Sequence, residues 1–244
     1  MALAVVSRFL IDLRLGPRTL ESAAELLASV AACCAGQPLP LFLVDNHLPY
    51  PAAILQVFGQ VQHRRRRRDR RGRLHQYKGP RLKAPAGLLA GVVGKIRDAT
   101  GNLLRVRTRL LFGKLKDLRS RIRDLHIGLD INTAHIERLN GTIRGQVARL
   151  ARRTRDLSRR RRPLQWALWL WRDLYNWVRP HGSLDGRTPA MALGLAETLW
   201  TVRRYVEQPV HVSDLERESW AERRKSLLES ALETHKRKKR LPTS

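Results

Sequence analysis

The chain has 244 residues, 43% of them hydrophobic, and 48 lysines and arginines against 21 aspartates and glutamates, for a formal net charge of +27 and an isoelectric point near 11.6. That hydrophobic share excludes a wholly disordered chain and suffices for one large domain, or a domain with an appendage, around a real core. No run approaches the ~20 apolar residues of a spanning helix, and the only cysteines, Cys33 and Cys34, are adjacent, which excludes a disulfide framework and the spaced pairs of a zinc site.

In chain order, SRFLIDLRLG comes first: Phe9, Ile11, Leu13 and Leu15 alternate with Asp12 and Arg14, the period of a strand with one buried face. Arg8, Asp12 and Arg14 also interrupt the start where a signal peptide would be apolar, so a cytoplasmic protein with no membrane partner is expected. TLESAAELLASVAACCAG then reads as a helix, with Thr19 as cap, Glu21 and Glu25 near its positive end, the two cysteines as small core residues and Gly36 beyond its last turn. LFLV follows as a short apolar run, the pattern of a strand covered on both faces. Strand, helix and buried strand in that order imply a right-handed crossover and a parallel sheet, with Asp45 at the carboxyl end of a central strand.

NHLPYPAAILQVFGQ leads into a short helix, and residues 79 to 91 read as irregular. A hairpin turn is expected at Thr100 to Asn102, leading into a strand where Leu104, Val106, Thr108 and Leu110 alternate with Arg105, Arg107 and Arg109, one face buried and the other cationic. A helix from Lys114 to about His126 and a break at Gly128 precede INTAHIERLNGTIR. On that second helix, capped by Asn132 or Thr133, Glu137, Asn140, Gly141 and Arg144 share one face. PLQWALWLWRDLYNWV places Trp166, Leu170, Leu174 and Trp177 near one face, a stripe read as packing rather than base stacking. His181, in the RPHG loop, is weak evidence for a phosphate contact. Thr188 and Pro189 open another helix, and Ser213 with Glu216 forms a capping box at the head of an amphipathic C-terminal arm.

The charge is concentrated. Residues 64 to 73 and 149 to 162 each hold eight arginines and one aspartate, and HKRKKR at 235 to 240 reads as a frayed, weakly attractive tail. A surplus of this size repels itself in the compact state unless a polyanion neutralises it, which makes nucleic acid the expected partner. Arginines placed near phosphates release counterions and match phosphate geometry, so Arg64, Arg65, Arg66, Arg67, Arg68, Arg70, Arg71, Arg144, Arg152, Arg153, Arg159, Arg160, Arg161 and Arg162 are the candidate backbone contacts.

Against this cationic background two carboxylates stand out. A strand-end Asp45 and a helix-borne Glu137 are what a two-metal phosphoryl-transfer site uses, with Mg²⁺ ions ~4 Å apart on hard oxygen ligands. Taken alone they admit plainer roles: a strand-end aspartate often closes a turn, and a helix glutamate beside arginines often makes a surface ion pair worth ~0.5 kcal/mol.

LFLVDNHLPYPAAILQVFG resembles the second-aspartate segment of bacterial insertion-sequence transposases of the DDE type, especially those related to the IS-one family. INTAHIERLNGTIR resembles their catalytic-glutamate helix, YNWVRPHGSLDGRTPAMA the segment that follows it, and SRFLIDLRLGPRTLESAAELL their strand-helix entry, over roughly residues 3 to 206. The resemblance implies an α/β, ribonuclease-H-like mixed sheet with flanking helices and a helical C-terminal region. It also implies Mg²⁺-dependent cleavage and strand transfer at insertion-sequence ends and target duplex, by a homo-oligomer assembled on DNA. Asp45 and Glu137 would be the second and third carboxylates, catalytic and metal-binding.

The first aspartate of such proteins sits on a strand upstream of the one met here, so the fold is expected to be incomplete at its N-terminus and the metal site to lack one ligand. Asp12 is read as a polar residue on a less buried face, not as a substitute. The expected organisation is a catalytic core over 1–162 with a basic insertion at about 60–100, a helical part over 163–206, and an arm and tail over 207–244. Two functions fit: a transposase represented by a shortened chain, or a noncatalytic DNA-binding remnant. A basic RNA-binding protein fits the charge but leaves the three ordered motifs unexplained.

Overall fold

The computed structural model describes residues 1–62, 71–73, 81–150, 158 and 160–208. The chain divides into one compact unit, Met1–Val202, and a second, Arg203–Ser244. The predicted capping box at Ser213 and the basic tail lie outside the described residues.

The first unit opens with a hairpin of β1 (Ala2–Ala4) and β2 (Phe9–Asp12), antiparallel, with Arg8 in the turn at a left-handed φ of 59°. Helix α1 (Leu20–Cys33) starts where expected, since the Thr19 hydroxyl accepts from the Ser22 amide and Gly36 turns the chain away at φ 74°. Next come β3 (Leu41–Asp45), α2 (Tyr50–Phe58), a small hairpin of β4 (Gln60–Gln62) and β5 (Arg81–Lys83), then β6 (Leu89–Arg97) and β7 (Leu103–Phe112). Helices α3 (Leu115–Asp124), α4 (Ala134–Gln146), α5 (Arg161–Trp177), α6 (Pro189–Ala192) and α7 (Val202–Glu207) complete the described chain. None of the described helices is long and apolar enough to cross a membrane.

The fold is a mixed α/β arrangement, and its main sheet has the order β3-β6-β7, with β3 parallel to β6 and β6 antiparallel to β7. This corrects the expected crossover. The parallel partner of β3 is β6, not the strand before α1, and β3 is an edge strand of that sheet rather than its centre. The segment read as irregular holds β5 and the start of β6. Leu89–Arg97 escaped notice because its apolar end carries Gly91 and Gly94, which break the alternation. Gly91 is required there, for a Cβ would meet the Ile131 side chain at 2.9 Å.

Among the described residues three apolar clusters form the core. Ala24, Leu27 and Val30 of α1 pack with Phe42, Ile54 and Ala90 on one side of the main sheet. Val93 meets Leu118, Ile122 and Ile131 on the other. Leu10 and Leu13 meet Leu139 and Ile143 of α4 and Leu168 and Tyr175 of α5 in the third.

Strand β2 therefore touches two clusters, Ile11 facing the first and Leu10 the third, and the reading of one buried face fails. Asp12, expected on the less buried side, is 4% exposed. The edge of β2 is held by side-chain amides of α5. Asn176 accepts from the Leu10 amide at 2.9 Å and donates to the Leu10 carbonyl at 3.0 Å. Gln165 does the same for the Leu15 amide and the Leu13 carbonyl, both at 2.7 Å. Asn176 and Gln165 stand about 16 Å apart along the helix and bond to Leu10 in β2 and to Leu13 and Leu15 just beyond it, so α5 runs antiparallel to the chain from Leu10 to Leu15.

The core face of α5 is Leu164, Leu168, Trp171 and Tyr175, at i, i+4, i+7 and i+11. The stripe read as packing is instead exposed at Trp166 (61%) and Leu170 (50%), while Trp177 does pack, its ring tilted 38° against that of Trp200. Cys33 is exposed and Cys34 half-buried, so only the second contributes to packing. Thr188 caps α6 as expected, accepting from Met191 at 3.2 Å, but the helix ends after four residues.

Candidate functional site

Asp45 ends β3, exposed, in register with Val93 of β6. Strand residues alternate between faces, so the position of Asp45 falls with Val93 and Lys95 on the face covered by α3 and by Ile131 in the loop before α4. Lys95 stands two residues past Val93, about 7 Å along the strand, and its ammonium donates to Glu137 at 2.5 Å. By register Asp45 and Lys95 stand on one face of the sheet, yet the Asp45 side chain lines a groove with Arg18, His47 and Tyr50 while Glu137 is held by Lys95 and Thr133, so the two carboxylates share none of these partners.

Glu137 is placed by α4, whose Leu139 and Ile143 are buried and whose opposite side carries Glu137, Gly141 and Arg144 exposed, as the shared stripe anticipated. Asn132 accepts from the Ala134 amide at 3.3 Å at the head of this helix, whereas the Thr133 hydroxyl donates at 2.6 Å to the second oxygen of Glu137. Hydrogen bonds from Lys95 and Thr133, reinforced by the charges of Lys95 and Arg97, hold the carboxyl of Glu137 below its ordinary pKa. Arg8 reaches the ring of His135 on the same helix at 2.6 Å; burial, with the charges of Arg8 and Arg138, keeps that ring's pKa low, so it accepts the bond as a neutral imidazole.

No spacing in the sequence pairs positions 95 and 137, which is why Lys95 was missed as the partner of Glu137. Both side chains are more than a third exposed or close to it, so the pair adds less than about 1 kcal/mol to stability. Lys95→Met is expected to leave the unfolding midpoint nearly unchanged while the Glu137 pKa rises toward that of a free glutamate. Carboxyl-carbon NMR titration reads this directly, and an unmoved Glu137 resonance would show that the pair does not exist in solution.

On the other side of Asp45 a groove of about 620 Å³ is lined by Asp45, Arg18, His47, Tyr50, Arg161 and Arg162. Arg18 approaches the His47 ring at 3.5 Å, and the Arg161 guanidinium donates to the Leu15 carbonyl. Two of the predicted phosphate contacts, Arg161 and Arg162, therefore line the same groove as Asp45. Arg144 lies exposed on α4 beyond Glu137, Arg160 is exposed just before α5, and Arg71 is exposed between the small strands. Arg64, Arg65, Arg66, Arg67, Arg68, Arg70, Arg152, Arg153 and Arg159 lie outside the described residues. His181 is turned inward, its ring edge-on to Tyr175 at 4.6 Å, and burial lowers its pKa; it is a packing residue.

Glu25 also lines this groove and pairs with Arg14 at 3.1 Å, and Asp12 lies buried behind the same arginine. The Asp12 oxygens accept from the Leu13 amide at 2.7 Å, from Arg14 at 2.6 Å and from Ser29 at 2.7 Å, which leaves it committed to structure. The Met1 ammonium feels the charges of both Asp12 and Asp45, which oppose the lowering of its pKa by burial. Mg²⁺ takes hard oxygen ligands, and a two-ion centre needs several of them converging on one place. Among the described residues no three acidic, histidine or cysteine side chains lie close enough to hold a metal ion, and each oxygen of Glu137 already accepts one hydrogen bond, from Lys95 and from Thr133. The described residues do not fit a two-Mg²⁺ centre.

No curated protein and no solved structure matches the chain. A family model described as an integrase core domain matches residues 131–189, the stretch that runs from Ile131 through the Glu137 helix and α5 to the Thr188–Pro189 cap, and it supports an integrase or transposase-type domain that acts on DNA.

Proposed function

We propose that the chain is a DNA recombination protein of the integrase and transposase type, derived from an insertion-sequence transposase with a ribonuclease-H-like sheet, in which Asp45 and Glu137 are the second and third carboxylates of the site. The match over residues 131–189 carries this reading, because it covers the helix that presents Glu137. The net charge of +27 and the arginines around the groove supply the attraction to phosphate. Integrase core domains typically use divalent metals, but the described carboxylates do not gather into a two-ion site, and Glu137 is engaged by Lys95 and Thr133. Their engagement favours the second reading, a chain that grips DNA without cutting it.

The test is to incubate the purified chain with supercoiled plasmid and Mg²⁺ or Mn²⁺, measuring binding and nicking together. Tight, salt-sensitive binding is expected, with no nicking above that of the Asp45→Asn and Glu137→Gln variants. Nicking that both substitutions abolish would establish a complete active site and overturn the noncatalytic reading. Failure to bind duplex DNA even at low salt would refute the DNA reading altogether.

A further inference from the structure

Strands β6 and β7 form a hairpin that outgrows the rest of its sheet. β3 ends at Asp45, opposite Val93, whereas β6 continues to Arg97 and returns through a turn into β7. The part beyond Val93 is a two-stranded ribbon about 14 Å long, projecting from the same sheet edge as Asp45. Its tip is ordered: Asp98 accepts from the Thr100 hydroxyl and the Asn102 amide, each at 2.7 Å, and Gly101 turns at φ 90°.

The sequence predicts one buried face for β7, and the structure contradicts it. Every residue from Leu103 to Arg109 is exposed, with Leu104 at 65% and Val106 at 48%. Opposed residues of an antiparallel pair share a face. Arg105, Arg107 and Arg109 therefore line one side of the ribbon opposite Ile96, Gly94 and Val92. None of the three arginines makes an ion pair among the described residues. Gly94 opens space beside Arg107, and a Cβ placed there would lie 3.7 Å from Asn46, the residue after Asp45. The cationic row thus begins at the free tip and runs down to the loop that follows the strand-end aspartate.

We infer that this cationic face of the β6–β7 ribbon is a duplex-DNA contact that leads the double helix toward the Asp45 edge. The inference rests on the DNA reading above and adds a site to it. Alternate residues of a strand repeat every ~6.8 Å, and phosphates of one DNA strand recur every ~3.4 Å along the axis, so successive arginines meet every second phosphate step. The major groove of B-DNA, ~12 Å wide, admits a two-stranded ribbon. Self-association through the β7 edge is the competing use of such an arm. It would bring arginine rows of two copies together, and like charges on an edge oppose strand pairing. A-form RNA offers a deep, narrow major groove that the ribbon cannot enter.

The experiment compares the full chain with the triple variant Arg105→Gln, Arg107→Gln, Arg109→Gln, by fluorescence anisotropy on a labelled duplex over about 50–200 mM salt. A control triple, Lys116→Gln, Arg121→Gln, Arg123→Gln on α3, removes the same charge from exposed positions elsewhere. With each phosphate contact contributing about 0.9 to the slope of log affinity against log salt, the ribbon variant is expected to lose about 2.7 from that slope. Its affinity loss across the salt range then shrinks about fortyfold relative to the parent. The control is expected to lose less than about 1. An unchanged slope in the ribbon variant, with the parent binding DNA, overturns the ribbon contact and leaves the DNA reading standing. Equal losses in the two triples overturn it as well, since they reveal only diffuse charge. A parent that dimerises through the arm, with dimerisation and not DNA binding lost in the variant, replaces the contact with self-association. No binding by the parent at all removes both readings.

Discussion

Asn176→Leu is expected to lower the unfolding free energy by about 2–4 kcal/mol, the loss incurred when a buried backbone donor and acceptor are left without partners, reduced by the added apolar burial. Asn176 is 1% exposed and its amide satisfies both the N–H and the C=O of Leu10. Leucine fits the volume but meets those two polar groups with a methyl surface. For a chain of this size each kcal/mol lowers the melting temperature by about 2–4 °C, so the shift is large in a thermal scan and in urea. Gln165→Leu, at the less buried end of the same helix, is expected to cost about 1 kcal/mol, because water can reach the freed groups of Leu13 and Leu15. A loss below about 1 kcal/mol for Asn176→Leu would show that apolar packing alone seats β2 on α5.

The second large effect lies at Asp12. Burial would raise the pKa of its carboxyl, but hydrogen bonds from Arg14 and Ser29, the Arg14 charge and the Leu13 amide outweigh burial and hold it below the ordinary value. Its side chain is 6% exposed while that of Arg14 is 39% exposed, so Arg14 can rehydrate when the pair is broken. Asp12→Ala is expected to cost about 2–4 kcal/mol at neutral pH, toward the lower end for a buried ion pair. The sign of the pH dependence follows from the depressed value. Asp12 binds its proton more readily in the unfolded chain, so its contribution is fully present above the unfolded pKa of about 3.9 and is lost as pH falls through the lower folded value. Glu137, Asp98 and Asp130 are depressed too, so acid destabilises the parent through several groups at once. The difference between parent and Asp12→Asn isolates this one. Urea midpoints of the two should be well separated at pH 7 and converge as the pH drops below about 4. A separation that persists unchanged at acid pH would assign the effect to packing.

The sequence by itself determined what depends on neighbours along the chain. Thr19 and Thr188 cap the helices they were expected to open, the turn before β7 closes where Asp98 to Asn102 can bond among themselves, and Glu137 shares an exposed face with Gly141 and Arg144. Caps, turns and helix faces are set by groups a few residues apart, so their signals are local. The charge surplus was legible for the same reason, being a sum over residues.

Tertiary structure decided whatever pairs residues far apart. Asp12 reads as an outward residue because alternation assigns it a face, yet α5 and α1 cover β2 from both sides and bury it against Arg14 and Ser29. The exposed arms of β7 read as half-buried because alternation cannot say whether any helix lies beneath the strand. Register made β6 rather than β2 the parallel partner of β3, and it brought Lys95 to Glu137 across 42 positions of chain. Such pairings follow from how apolar faces are shared out among three clusters, a property of the whole chain that no window of sequence contains.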